Sequence, residues 1–110
     1  MENLVIYQRV YDLMIYLFPI IDRFPKYEKF VLCTQVKNCI IDIARRIIRA
    51  NKSRSKRPLL YDIDVSIEEL RMLIRFSHDR KYLSHNSYAE TSKRINEIGR
   101  LLGGWMKSLG

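Results

Sequence analysis

Residues 36–52 read VKNCIIDIARRIIRANK, and the spacing of their apolar side chains decides the fold class. Val36, Ile40, Ile43, Ile47 and Ala50 recur by steps of four and three, the repeat that lines one stripe of an α-helix and forms a bundle seam. A second apolar line, Phe30, Cys33, Ile41, Ala44 and Ile48, runs beside it, and the polar remainder carries Asn38, Asp42, Arg45, Arg49 and Lys52. The pattern predicts a helix from Pro25 to Lys52, opened by a proline whose missing N–H is no loss at the first helical position.

Working outward, Leu4, Tyr7, Tyr11, Met14, Phe18 and Ile21 predict a preceding helix over Asn3 to Arg23, with Pro19 inside it and a break at Phe24-Pro25. Downstream, Asn51 to Arg57 is polar, serine-containing and basic, a loop by composition. Leu59, Ile63, Ile67, Leu70, Leu73, Ile74 and Ser77 predict a third helix from Pro58 to Tyr82. A turn at residues 83–87 follows; Ser84 or Ser87 can cap a fourth helix, and Ser87 with Glu90 has the spacing of a capping box. That helix carries Tyr88, Thr91, Ile95, Ile98, Leu102, Trp105 and Leu109 on one side. There is no Asn-Gly or Asp-Gly hairpin signal. The expected fold is all-α: an up-and-down antiparallel four-helix bundle in a single domain over residues 1–110.

The chain has 47% hydrophobic and 29% charged residues, a globular balance rather than a disordered one. The longest apolar run, Leu13 to Ile21, is shorter than the roughly 18 residues a membrane span needs. Met1-Glu2-Asn3 opens without the basic region of a signal peptide, and Cys33 and Cys39 fall in an apolar segment as reduced core residues, so the expected compartment is the cytoplasm. No metal-ligand spacing exists, no cofactor is implied, and no Ser, Cys or paired carboxylate has a base beside it. His78-Asp79 and the isolated His85 do not make a catalytic set, so a hydrolytic enzyme is not expected.

The net charge of +8 favours an acidic partner, nucleic acid before an anionic membrane surface. Its source is local. Arg45, Arg46, Arg49, Lys52, Arg54, Lys56 and Arg57 are seven cations within 13 residues with no acid among them, while the remaining 13 basic and 12 acidic residues nearly balance. Cations near a helix C-terminus complement its dipole, which accounts for two or three of them; the rest suit phosphate contact. No aromatic residue is interleaved among them to stack bases. Arg71, Arg75 and His78 share a face of the third helix, where Arg71 and Arg75 either extend the basic surface or pair with acids such as Glu68.

Val65, Met72 and Phe76 lie opposite the Leu70/Leu73 seam, and with the second line on helix two they exceed what a monomeric bundle buries, so a second copy of the chain is the expected partner. Gly99 and Gly103, four apart, admit a neighbouring backbone closely; the alternative is that Gly103-Gly104 frays the helix end.

Residues 98–107, IGRLLGGWMK, carry a resemblance. They are similar to the C-terminal signature of the accessory variability determinant family of diversity-generating retroelements. Tyr11-Asp12-Leu13 with Leu17-Phe18-Pro19 and Phe24-Pro25-Lys26 resembles the family's first helix and turn. Residues 69–75, ELRMLIR, resemble its third helix, and Leu83-Ser84 with Tyr88 and Glu90 its third turn. The resemblance spans essentially the whole chain. It departs at Arg45-Arg46 and in the polar stretch Ser77-His78-Asp79-Arg80. It implies a non-enzymatic basic bundle that assembles as a ring-like homopentamer and works with a reverse transcriptase and its template RNA or cDNA. The protein encoded within intervening sequences of 23S ribosomal RNA genes shares that bundle and ring and remains an alternative, as does a protein–protein adaptor ring whose charge serves solubility.

Overall fold

In the computed structural model, which describes residues 2–110 and the side chains from Val5 onward, four helices run up and down. They are α1 (Glu2–Ile21), α2 (Leu32–Lys52), α3 (Arg57–Asp79) and α4 (His85–Ser108). Each packs along two neighbours, α1 on α2 and α4, α3 on α2 and α4, so α1 and α3 occupy opposite corners of a bundle 44 × 25 × 20 Å in extent.

On α2 the Val36–Ala50 seam is buried throughout, and Cys33 and Ala44 of the second line join it, while Ile41 is half-buried and Ile48 exposed. α1 differs from expectation. Its core face is Ile6, Val10, Leu13, Leu17 and Ile21, one position round from the face carrying Tyr7, Tyr11, Met14 and Phe18. Leu4 lies outside the residues with described side chains. Both lines have helical spacing; the aliphatic one takes the centre because it carries no polar atom, whereas a tyrosine keeps its hydroxyl near water. Pro19 is exposed, and the helix continues past it to Ile21.

The second helix begins later than its proline. Pro25 opens a 3-10 turn, Lys26–Glu28, closed by the Glu28 N–H to the Pro25 carbonyl at 2.9 Å and the Val31 N–H to the Glu28 carbonyl at 3.2 Å, and α2 starts at Leu32. Tertiary contact holds this turn: the Tyr82 hydroxyl donates to the Glu28 carboxylate at 2.9 Å, and the Tyr82 ring lies 5.4 Å from that of Phe24. Phe30 therefore stands outside the helix and does not continue the Ile41/Ile48 line.

On α3 the buried face is Leu60, Ile63, Ser66, Ile67, Leu70, Ile74 and Ser77, with Leu59 and Leu73 half-buried at its flanks. The helix ends at Asp79 rather than Tyr82, because the Tyr82 N–H bonds back to the Ser77 carbonyl at 2.9 Å and the Lys81 N–H to that of His78 at 2.8 Å. This capping pattern requires left-handed backbone at Lys81, whose φ is 65°.

Ser84 caps α4, its hydroxyl accepting from the Ser87 N–H at 3.0 Å. The Ser87/Glu90 capping box is not formed, because the helix has already begun; Glu90 instead accepts from Arg94 Nε at 2.8 Å. Ser84→Ala is expected to cost about 1 kcal/mol in urea unfolding, the usual worth of an N-cap hydroxyl, with Ser87→Ala nearly neutral.

Candidate nucleic-acid interface

The last two turns of α2, the following connection and the start of α3 place the basic run at one corner. Ile43, Ile47 and Ala50 face the core, so Arg45, Arg49 and Lys52 project to solvent from the rest of the helix circumference. The connection turns through Ser53, whose hydroxyl accepts from the Ser55 N–H at 3.2 Å. Gly110, just beyond the end of α4, reaches the same pole, since the Arg57 guanidinium donates to its carbonyl.

The seven cations are not equivalent. Lys56 turns its ammonium back onto the end of α2, donating to the carbonyls of Ala50 at 2.9 Å, Asn51 at 3.0 Å and Ser53 at 2.7 Å. It occupies carbonyls that a helix end leaves without partners, so its charge is committed to folding. Arg46 donates to the Ser66 hydroxyl across the α2–α3 groove, and the Ser66 hydroxyl in turn donates a hydrogen bond to the Asp62 carbonyl at 3.0 Å. Arg45, Arg49, Lys52 and Arg54 have no ion-pair or side-chain hydrogen-bond partner among the described residues. Asp42 and Asp62 line a shallow depression with Arg45, Arg46, Arg49 and Leu59, yet neither carboxylate forms an ion pair there.

Arg71 and Arg75 do not join this corner. Arg71 lies 14 residues beyond Arg57, about 21 Å along the axis at 1.5 Å per residue. It pairs with Glu68 and reaches Asn96 Oδ1 at 3.3 Å, while Arg75 lies 3.8 Å from Asp79.

Val65, Met72 and Phe76 form an exposed line on α3, which Tyr61 extends; sequence reasoning missed Tyr61 although it stands four residues before Val65. On the opposite corner Tyr11 and Ile15 are exposed on α1. The glycines do not fray α4, which continues to Ser108. A Cβ on Gly99 would stand 3.0 Å from the Arg71 guanidinium, and one on Gly103 or Gly104 would meet nothing within 4 Å. Gly103→Ala is therefore expected to stabilise the isolated subunit by up to about 1 kcal/mol in thermal melts.

Both cysteines are free thiols. Burial, with Glu69 and then Asp42 nearby, pushes Cys39 up to about 11, so at neutral pH this half-buried thiol is protonated and a poor nucleophile. His78 stacks on Tyr88 at 4.1 Å, which gives the imidazole a packing role. Among the described residues no group of three His, Cys, Asp or Glu side chains could hold a metal ion, and no helix is long and apolar enough to cross a membrane.

A family model described as bAvd-like matches residues 4–109. The chain belongs to this family. It is the family of accessory variability determinants, the accessory proteins of diversity-generating retroelements, and the match covers all four helices. No curated protein matches the chain. Among the described residues of this chain, Arg45, Arg49, Lys52 and Arg54 form the largest group of cations in a continuous stretch that the fold leaves without partners.

Proposed function

We propose that this chain is a non-enzymatic retroelement accessory protein that binds template RNA or cDNA through its basic corner and assists the reverse transcriptase as a homo-oligomer. The four unpartnered cations at the end of α2 and in the connection after it carry the reading. Folding leaves them free, and phosphates are the partners that such a group neutralises with release of counterions. The contact is to the backbone and carries little sequence preference, because no base-reading or stacking side chain lies among them.

Assembly rests on the apolar stripes. Those of α1 and α3 lie on opposite corners, so one subunit's α1 stripe can meet the next subunit's α3 stripe; such a heterologous contact closes into a ring when its rotation permits. Five subunits are what the family resemblance implies, and every subunit would then present its basic corner in the same orientation. Light scattering coupled to size exclusion should give a mass several times 13.2 kDa. Met72, 59% exposed at the middle of the α3 stripe, is the test position: Met72→Glu should loosen the assembly and leave the helical circular dichroism unchanged. A concentration-independent monomer would remove this account of the stripes.

For the function itself, fluorescence anisotropy with a labelled single-stranded RNA at low salt should show a complex, and the purified reverse transcriptase should be retained by the tagged protein. An oligomer that retains the polymerase but leaves the RNA free would instead support the adaptor ring.

A further inference from the structure

The opposite pole of the bundle carries a different combination of side chains. Along α2 it lies about 20 Å from Arg45 and about 30 Å from Lys52, at 1.5 Å per residue. There the connection between α1 and α2 holds Tyr27 at 71% and Phe30 at 83% exposure. Large aromatic rings cost free energy when left in water, and two together in one short connection require an explanation beyond scattered surface apolarity.

The surroundings of these rings are cationic. Lys26 and Lys29 belong to the same connection, and Arg80 and Lys81 follow α3. The pole is held together by Tyr82, whose ring lies 6.4 Å from that of Tyr27 and 5.7 Å from the Arg80 guanidinium carbon. None of these four cations forms an ion pair among the described residues. The local carboxylates are engaged: Asp22 by Lys37, Asp79 by Arg75, and Glu28 by the Tyr82 hydroxyl. Lys81 stands at the left-handed capping position, where glycine would be relaxed, and supplies a cation in its place.

Beside Phe30 opens a recess of about 520 Å³. Ile21, Phe24 and Cys33 give it an apolar lining, Lys26 and Lys29 contribute positive charge, Asp22 also lines it with its carboxylate paired to Lys37, and the Lys29 ammonium sits 5.5 Å from the centre of the Phe30 ring. An apolar recess beside an exposed ring, with unpaired cations around it, matches a flat apolar base attached to an anionic backbone.

We propose that this pole is a second contact for single-stranded nucleic acid, at which unpaired bases stack on Phe30 and Tyr27 while the adjacent Lys and Arg side chains hold the phosphates. It rests on the nucleic-acid reading above and gives the protein a preference for single strands that the basic corner alone does not supply. A duplex presents phosphates to both poles but keeps its bases stacked within itself, so it cannot use the rings.

The test compares a labelled uridine oligonucleotide with a duplex of the same length. Phe30→Ala should weaken the single strand at least about fivefold, the lower end of what one stacked base contributes, and leave the duplex affinity and the salt slope at parent values. Phe30→Trp should retain single-strand affinity, and its indole fluorescence should be quenched on binding, over the constant signal of the buried Trp105. The exposure of Phe30 keeps both variants folded, which circular dichroism checks. Parent affinity for the single strand in Phe30→Ala would overturn the proposal, as would equal weakening of both nucleic acids. Retention of the parent but not of Phe30→Ala on phosphatidylserine vesicles, without a change in single-strand affinity, would overturn it in favour of a membrane surface. Salt-dependent duplex binding by the parent tests the underlying reading separately: if it stands while Phe30 has no effect, only the stacking site fails.

Discussion

Replacing Arg45, Arg49, Lys52 and Arg54 together by Gln should weaken binding of single-stranded RNA on the order of 10²-fold at 0.1 M salt. Each phosphate neutralised on a single strand contributes a slope of roughly −0.7 to log affinity against log salt, so four lost contacts reduce the slope by up to about 2.8. The loss should be nearly equal for all sequences, because phosphate contacts carry no base information. The fold should survive, since none of the four side chains has an ion-pair or hydrogen-bond partner among the described residues. Lys56 is left in place deliberately: its three bonds to the end of α2 would make a substitution there a stability change as well as a charge change. Parent affinity and parent slope in the quadruple variant would move the site away from this corner.

The second large effect concerns the core. Leu17→Ala should cost about 2–5 kcal/mol in urea or thermal unfolding, the range for removing a fully buried aliphatic side chain and leaving a cavity. Leu17 is wholly buried in the core, whereas Tyr11 on the neighbouring line of α1 is 47% exposed. Tyr11→Ala should therefore cost less than about 1 kcal/mol in the free subunit, within the range of surface substitutions. Equal losses from the two variants would show that α1 is rotated from the orientation described. If the oligomer buries Tyr11, its substitution should lower the assembled mass while the subunit itself stays folded.

These residues also show what the sequence makes legible. The seam on α2 could be read directly because the polar side chains of that helix leave little choice of face; Asp42, Arg45, Arg49 and Lys52 exclude the alternatives. α1 offers no such exclusion. Its apolar residues surround most of the helix, two lines have helical spacing, and periodicity cannot tell the one bearing tyrosines from the aliphatic one. The start of α2 was hidden for another reason. Pro25 is as suitable before a 3-10 turn as at the first position of an α-helix, and what selects the turn is Tyr82, more than 50 residues away in the chain.

The candidate site divides in the same way. The density of cations between Arg45 and Arg57 is a property of the sequence, and so is the absence of acids among them. Which of them remain free is a property of the fold: Lys56 turns back to cap a helix, and Arg46 and Arg57 find oxygen acceptors on other helices or at Gly110. The aromatic pole is composed of residues from two distant segments, 26–30 and 80–82, and neither segment alone would have marked it.

The most direct test of the central claim is the salt dependence of RNA binding by the unaltered protein. Association constants for a labelled single-stranded RNA, measured from 50 to 400 mM potassium chloride, should fall on a straight log–log line with a slope of about −3 or steeper, from at least four neutralised phosphates at roughly −0.7 each. A slope near zero, or no binding at the lowest salt by a protein that is folded and assembled, would contradict the claim that the basic corner holds a nucleic-acid backbone.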